Sequence, residues 1–346
     1  METILAALFA DFEVARRAAK PSPHSERAAR SDFAAIHALL VDIVGREDDM
    51  PLGEVTTRRL RLAFARFAET HAASSIARCW STWNQFYGFL VAEDVVAGNP
   101  MAAVAHPKVG RRTPKPLQGD DAPEALLHTV AAGARPARWP WPERDLAFIA
   151  TALLTGLRLS ELIGLNLGAI DGRPGERRIT VVGKGRKERT VPIEAPLETV
   201  IDRYLDTRRE RFPDVKLGPK APLFVDRRGD RIKRGGAHYL VERSYQAAGL
   251  TNRVPAGAMV HALRHTYATR LAEDGASATE IQALLGHESL NTSQGYIEAT
   301  ANATRQAARA NRTYRTLEQL AAPTPKATKR KAKDGGAGTT ALTGVG

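Results

Sequence analysis

Apolar residues in the first hundred positions recur every three or four residues, which is the period of one face of an α-helix. Phe33, Ile36, Leu40 and Ile43 show this pattern within one segment. The pattern predicts four helices, at residues 3–20, 25–44, 56–71 and 74–92. We therefore expect a helical N-terminal domain over residues 1–107.

The fourth predicted helix has two chemically different faces. Its apolar stripe, the expected core-facing side, consists of Ile76, Trp80, Trp83, Tyr87 and Leu90. Its polar face carries Arg78, Thr82 and Gln85 at positions i, i+4 and i+7. On a basic helical domain these three side chains are candidates for contacts to DNA, and a solvated surface is the alternative.

Residues 108–119 differ in composition from the segments on either side. They are rich in proline, glycine and positive charge, which is typical of a linker between domains. The four cations of this stretch are Lys108, Arg111, Arg112 and Lys115. Such side chains suit contacts along a phosphate backbone, and a merely soluble linker explains them equally well.

From residue 120 onwards the pattern becomes mixed. Helices are predicted at residues 142–154, 160–165, 197–211, 234–248, 262–274 and 279–285. Apolar residues alternate with period two on both sides of Gly183-Lys184-Gly185, which predicts a β-hairpin. Asn291 to Ser293 are expected to cap a last helix. The expected fold class is mainly α with a small β-sheet. It includes a mixed α/β domain over residues 120–320 and a disordered basic tail over residues 321–346.

The 346-residue chain has a formal net charge of +12, of which the tail after Leu320 contributes +4, so the body retains +8. This excess favours a polyanionic partner, and a solvated basic surface is the alternative. The single cysteine, Cys79, excludes an intramolecular disulfide and is typical of a reducing cytoplasm. The N-terminus lacks a basic segment, and no apolar run approaches the ~20 residues that span a bilayer. We expect a cytoplasmic, nucleoid-associated protein with no membrane partner.

The segment from His261 to Tyr296, HALRHTYATRLAEDGASATEIQALLGHESLNTSQGY, concentrates reactive side chains. His261 and Arg264 lie three residues apart, on one face of a helix, and His287 follows a helix-ending glycine. Attack on a phosphodiester requires an acid or base, a fixed cation, a second proton donor and a hydroxyl nucleophile. The sequence shows no set of side chains at metal-ligand spacing, so a cage of cations is expected and no metal or cofactor. Taken singly, each residue has an ordinary structural explanation.

Four separated motifs resemble those of tyrosine recombinases of the phage-integrase family, and the layout is most similar to its Xer- and Cre-like members. The motifs are TGLRLSELIGLNLGAID, GKGRKERTVPI, HALRHTYATRL and LLGHESLNTSQGY, in the family's order. The resemblance implies six catalytic residues, namely Arg158, Lys184, His261, Arg264, His287 and Tyr296, with Glu161 in support. It extends over residues 22–318, because the N-terminal helices resemble the family's SAM-like core-binding domain.

The resemblance also implies a role for each residue. Tyr296 attacks the scissile phosphate to form a 3′-phosphotyrosine, His261 acts as the base, and Lys184 protonates the departing 5′-oxygen. The residues that hold the non-bridging oxygens are Arg158, Arg264 and His287.

Some residues near these motifs are open to two interpretations. His265 is either structural or supporting. Arg186, Lys187 and Arg189 are either phosphate contacts or solvated charges. Ile297-Glu298 departs from the family's common Thr-His, and no extra N-terminal domain for arm-type sites is expected. Residues 304–320 are expected to form a helix that docks on a neighbouring subunit.

The expected function is that of a site-specific DNA recombinase that forms a C-shaped clamp on duplex DNA. The resemblance implies a tetramer on two recombination sites, exchanging strands through a Holliday junction. The tetramer is either homomeric or includes a second recombinase or a directionality factor. The biological role is open between integration or excision of a phage or mobile element and resolution of replicon dimers. The alternatives are a catalytically silent DNA-binding or architectural protein and a DNA-relaxing enzyme similar to type IB topoisomerases.

Overall fold

The computed structural model describes residues 4–47, 49–110, 114–183, 188–255, 257–286 and 290–299. The chain divides into two compact units, residues 1–112 and 113–346. This division falls inside the stretch 108–119 whose composition predicted a linker. Within the described ranges, no helix has both the length and the apolarity that crossing a membrane requires.

The described part of the N-terminal unit contains four long helices that enclose a hydrophobic core. They are α1 (Leu5–Arg16), α2 (Pro23–Val44), α3 (Thr57–Thr70) and α4 (Ala73–Ala92). The hydroxyl of Ser22 accepts a hydrogen bond from the Ser25 N–H and caps α2, which ends at Gly45 with φ +75°. The core is rich in aromatic rings, and those of Phe9 and Phe33 stack with centroids 3.9 Å apart. The bounds of the four helices confirm the predicted ones within a few residues at each end.

A buried carboxylate, Asp32 on α2, organises the polar face of α4. The Arg78 guanidinium donates hydrogen bonds to both Asp32 oxygens at 2.8–3.1 Å, and the Thr82 hydroxyl donates to Oδ2 at 3.1 Å. Thr82 is itself buried, so the expectation that it faces DNA is wrong: its hydroxyl is turned towards Asp32 inside the unit. Arg78 and Gln85 are exposed and stay candidates for DNA contacts.

The described part of the second unit contains eight helices. They are α5 (Ala122–Ala131), α6 (Pro142–Thr155), α7 (Leu159–Gly164), α8 (Ala195–Arg211), α9 (Arg234–Ala247), α10 (Met259–Glu273), α11 (Ala278–Leu285) and α12 (Leu290–Ala299). The almost wholly buried helix α6 packs against α5, α8 and α10 and forms the centre of the unit. Since α12 begins at Leu290, Asn291 to Ser293 lie within its first turn, and the expectation that they cap it from outside is wrong.

A three-stranded antiparallel sheet lies in the second unit. Its strands, in spatial order, are β1 (Ile170–Asp171), β2 (Arg178–Val182) and β3 (Glu188–Pro192). Ile179 pairs with Val191 and Val181 pairs with Arg189, and the three apolar partners are buried as their alternation predicted. The strand β1 has only two residues, which is too short for a periodic signal. The predicted fold class, mainly α with a small sheet, is confirmed.

Candidate active site

Arg158 lies in the turn between α6 and α7, immediately before the first residue of α7. Its backbone N–H donates to Oε2 of Glu161 at 2.8 Å, and its Nη1 donates to Oε1 at 3.0 Å. Burial favours the neutral acid, but hydrogen bonds from Arg189 and from the Arg158 backbone outweigh it and lower the pKa of Glu161 to about 2. One ionised carboxylate therefore orients both the main chain and the side chain of Arg158.

Arg189 on β3 is the second partner of Glu161. Its Nη1 and Nη2 donate to the two carboxylate oxygens at 2.9 and 2.7 Å, and its side chain is 10% exposed. Arg189 is thus an ion-paired part of the site, and the interpretation as a solvated charge is wrong. The sequence contains a signal for this placement. Residues two apart on a strand share a face, so the apolar Val191 places Arg189 on the buried face of β3.

Three guanidiniums converge on the C-terminal end of α11. Three successive carbonyls at this end each accept from a different arginine: Leu284 from Arg189 at 3.0 Å, Leu285 from Arg264 at 2.8 Å, and Gly286 from Arg158 at 3.1 Å. The last carbonyls of a helix lack partners within the helix and carry its negative dipole end, so cations are favoured there. The end of α11 therefore gathers arginines that come from three separate parts of the sequence.

Arg264 on α10 is the most deeply buried of these cations, at 6% exposure. Besides the Leu285 carbonyl, its guanidinium donates to the carbonyl of Gly156, where α6 ends with φ +58°. Burial, with a smaller contribution from the neighbouring Arg158, lowers the pKa of Arg264 to about 10. The guanidinium therefore stays charged at neutral pH, although it is held away from bulk water.

His261 lies one turn before Arg264 on α10 and is exposed. Partial loss of solvation by the surrounding protein, followed by the charges of Arg264, Arg234, His238 and Arg158, lowers the pKa of His261. The imidazole is therefore neutral at pH 7 and able to accept a proton.

Tyr296 on α12 is buried, at 3% exposure, in a small hydrophobic cluster with residues of α10 and α11. Its hydroxyl oxygen lies 2.7 Å from Nδ1 of His265. Burial raises the pKa of Tyr296, and the nearby Arg264 charge opposes that effect. The hydroxyl group expected as the nucleophile is thus in direct contact with His265, for which the sequence left a structural role open.

The charged side chains around the end of α11 carry more positive than negative charge. Arg158, Arg189 and Arg264 contribute three positive charges, and Glu161 contributes one negative charge, which leaves a net charge of +2. A planar guanidinium binds two phosphate oxygens at once, so these three arginines are suited to hold a phosphate group. Among the residues that the structure describes, no group of three His, Cys, Asp or Glu side chains is placed to hold a metal ion.

The other predicted site residues fall into two groups. Lys108 and Lys115 are exposed. Those outside the described residues are Arg111, Arg112, Lys184, Arg186, Lys187 and His287. The structure thus brings together Arg158, Glu161, His261, Arg264, His265 and Tyr296 from the predicted set, and adds Arg189.

Known proteins resemble the chain over most of its length. Residues 120–303 match the Phage integrase family. The chain is 32% identical over 231 residues to the tyrosine recombinase XerC of Pelotomaculum thermopropionicum, covering 66% of this chain and 72% of that protein. It is 35% identical over 239 residues to the tyrosine recombinase XerD of Mycobacterium leprae, covering 68% and 72%.

A solved structure shows the same fold. It is a lambda integrase tetramer bound to a Holliday junction, with a TM-score of 0.64 over 85% of this chain and 77% of that chain. The two sequences are 19% identical, so the similarity concerns the fold.

Proposed function

Because this chain belongs to the phage integrase family of tyrosine recombinases, we propose that it cleaves and rejoins DNA at specific sites through a covalent phosphotyrosine. The observation that carries this proposal is the convergence of three arginines on the end of α11, next to the buried hydroxyl of Tyr296. A site with net positive charge and a tyrosine hydroxyl is suited to attack on a phosphodiester.

In the proposed reaction, the Tyr296 oxygen forms a bond to the scissile phosphorus while the bond from phosphorus to the 5′-oxygen breaks. His261, neutral at pH 7, takes the tyrosine proton, and Lys184 donates a proton to the departing 5′-oxygen. The product is a 3′-phosphotyrosine, which keeps the energy of the broken bond. Attack by a 5′-hydroxyl on that phosphotyrosine reverses the steps and rejoins the strand without an external energy source.

Arg158, Arg264 and His287 hold the non-bridging phosphate oxygens as charge develops on them. Arg264 is pre-organised for this part because two backbone carbonyls fix its guanidinium and burial keeps water away. Arg158 is fixed by Glu161, whose second partner is Arg189. Loss of one such donor in other enzymes costs about 3 kcal/mol of transition-state stabilisation.

The proposed partner is duplex DNA that carries recombination sites. The body charge of +8 supports binding to a polyanion, with residues 1–107 as a core-binding domain and residues 120–320 as the catalytic domain. The fold shared with a lambda integrase tetramer on a Holliday junction supports the same assembly here, either homomeric or with a second recombinase or directionality factor. Its biological task is integration or excision of a mobile element or resolution of replicon dimers.

The test is covalent capture on nicked duplexes that the protein has selected from a random-sequence pool. The nick releases a short fragment after cleavage, so the phosphotyrosine adduct accumulates and is counted on a denaturing gel. We expect Tyr296→Phe to bind the selected duplexes with an unchanged Kd and to form no adduct. Tyr267→Phe is the matched control, because Tyr267 packs against the same hydrophobic cluster as Tyr296. We expect this variant to form the adduct as wild type does.

An adduct that persists in Tyr296→Phe would falsify the assignment of the nucleophile. A wild-type protein that binds DNA and forms no adduct would instead support the catalytically silent DNA-binding protein. Relaxation of a supercoiled plasmid with a single site, without pairing of two sites, would support an enzyme similar to type IB topoisomerases.

A further inference from the structure

His265 lies next to the Tyr296 hydroxyl in the part of the site that the structure describes. It follows Arg264 directly on α10 and lies one helical turn after His261. Its Nδ1 lies 2.7 Å from the Tyr296 hydroxyl oxygen, and the two rings are tilted by 38° with centroids 5.7 Å apart. The expected base, His261, is thus on the same helix, while the contact to the hydroxyl is made by His265.

The protonation state of His265 determines the direction of this hydrogen bond. Burial, followed by the positive electrostatic effects of His261, Arg264 and Lys115, lowers the pKa of His265 to about 4. At neutral pH the imidazole is therefore uncharged. The positive charge of Arg264 also acts on the phenol and makes its hydroxyl a better donor. Both effects favour a hydrogen bond in which Tyr296 donates and Nδ1 accepts, with the imidazole proton on Nε2.

Two residues next to His265, Thr266 and Tyr296, are each held by contacts of their own. The Leu117 N–H donates to the hydroxyl of Thr266 at 2.9 Å, so the end of the linker is attached to α10 beside His265. On the other side, Tyr296 is packed in the cluster of Ala268, Ala272, Ile281 and Leu285. The phenol ring is therefore located by packing, and its hydroxyl is within hydrogen-bond distance of His265.

We propose that His265 is a positioning residue for the nucleophile, which accepts a hydrogen bond from the Tyr296 hydroxyl at Nδ1 and holds that hydroxyl in place until attack begins. This proposal rests on the proposed function, since it concerns the same hydroxyl. The phenol keeps its proton while this hydrogen bond holds, because the pKa of Tyr296 is raised and that of His265 is lowered to about 4. Once the bond to phosphorus begins to form, the phenol becomes more acidic, its O–H bond turns away from Nδ1, and the proton passes to His261.

Two substitutions separate orientation from packing. In His265→Asn the amide oxygen replaces Nδ1 as an acceptor, because both lie at the same number of bonds from the backbone. In His265→Leu the side chain keeps a similar volume and lacks an acceptor. Both full-length variants are compared with wild type for Kd on the selected duplexes, thermal midpoint, and single-turnover rate of adduct formation at saturating protein.

We expect His265→Leu to slow adduct formation by about tenfold to a hundredfold, the range that a misplaced reacting group produces. Its Kd should stay within about twofold of wild type, because the hydroxyl is buried and adds no charge to the DNA surface. His265→Asn should recover most of the lost rate. Wild-type adduct formation at Tyr296 is measured in the same assay, so failure of the proposed function shows separately as absence of any adduct.

A His265→Leu protein that reacts at the wild-type rate would overturn the positioning role. So would a His265→Asn protein as slow as His265→Leu, because a restored acceptor would then have no effect and packing would explain both losses.

Discussion

A single carboxylate, Glu161, orients two of the guanidiniums in the described part of the site, since it accepts from both Arg158 and Arg189. Glu161→Gln removes the negative charge and keeps the shape of the side chain. We expect the free energy of unfolding to fall by about 3 kcal/mol, because removing one member of a buried ion pair leaves its partners uncompensated. Adduct formation should slow as well. DNA affinity should not fall, because the site gains positive charge. Urea unfolding and single-turnover capture measure the two effects.

Glu124→Gln is the matched control for that substitution. Glu124 pairs with Arg270 at 3.3 Å, and its side chain is 59% exposed. Exposed ion pairs contribute between 0 and about 1 kcal/mol, so this variant should unfold and react much as wild type does. Equal losses in both variants would show that a change of charge, and not the orientation of the arginines, causes the effect.

The contacts of these residues explain which of them the sequence revealed. Glu161 and Arg158 are three positions apart on a helix start, so their pairing is a local property of the sequence. Arg189 is 28 positions from Glu161, and His265 is 31 positions from Tyr296. The order of the motifs identified the candidate residues. The spacing and composition of the sequence do not show which of these distant residues come into contact, because the contact depends on the folded chain. For that reason Arg189 was open between two surface interpretations.

At the scale of secondary-structure elements, the end of α11 connects the arginines with one another, and Gly286 ends that helix. Its φ of +62° favours glycine, and an added Cβ would lie 2.9 Å from Cδ of Arg189. We expect Gly286→Ala to lower the free energy of unfolding by about 1–2 kcal/mol from backbone strain. It should also slow adduct formation, because Arg189 must shift and the support of Glu161 shifts with it. Urea unfolding and the capture rate are the measurements.

Gly275→Ala separates strain from displacement. Gly275 has φ +92°, but an added Cβ there has no atom within 4 Å. This control should lose a similar amount of stability and keep the wild-type capture rate. If both glycine variants react equally, the end of α11 does not hold the arginines in their working positions.

Elements were predictable where their signal is local. The helices α2, α3, α4, α8 and α9 were predicted within about two residues because apolar periodicity repeats over three or more turns. The two-residue strand β1 exists through its pairing with β2, and such pairing leaves no periodic trace in so short a segment. The start of α12 was misplaced because a polar run suggested a cap where the helix had already begun.

At the scale of the whole molecule, the chain consists of two compact units, and their division falls within residues 108–119. Composition alone predicts this linker, because its proline, glycine and charged residues are consecutive in the sequence. Charge alone left two explanations for the cations of this stretch, phosphate contacts or simple solubility. In the described part, Lys108 and Lys115 are both exposed, and the positive charge of Lys115 reaches His265. This placement of Lys115 beside the candidate active site favours phosphate contacts.

The double variant Lys108→Gln/Lys115→Gln tests that explanation through the salt dependence of DNA binding. Each cation that neutralises a phosphate releases counterions and adds about 0.9 to the slope of log K against log salt concentration. We therefore expect the slope to become shallower by about 2 in the variant, measured by fluorescence anisotropy from 50 to 200 mM salt. Phosphate contacts carry no sequence information, so affinity for an unrelated duplex should fall by the same factor as affinity for the selected one. Binding is the proper measurement here, because the loss of Lys115 also acts on His265. An unchanged slope would mean that Lys108 and Lys115 serve solubility, and the phosphate contacts would then have to come from other cations of the chain.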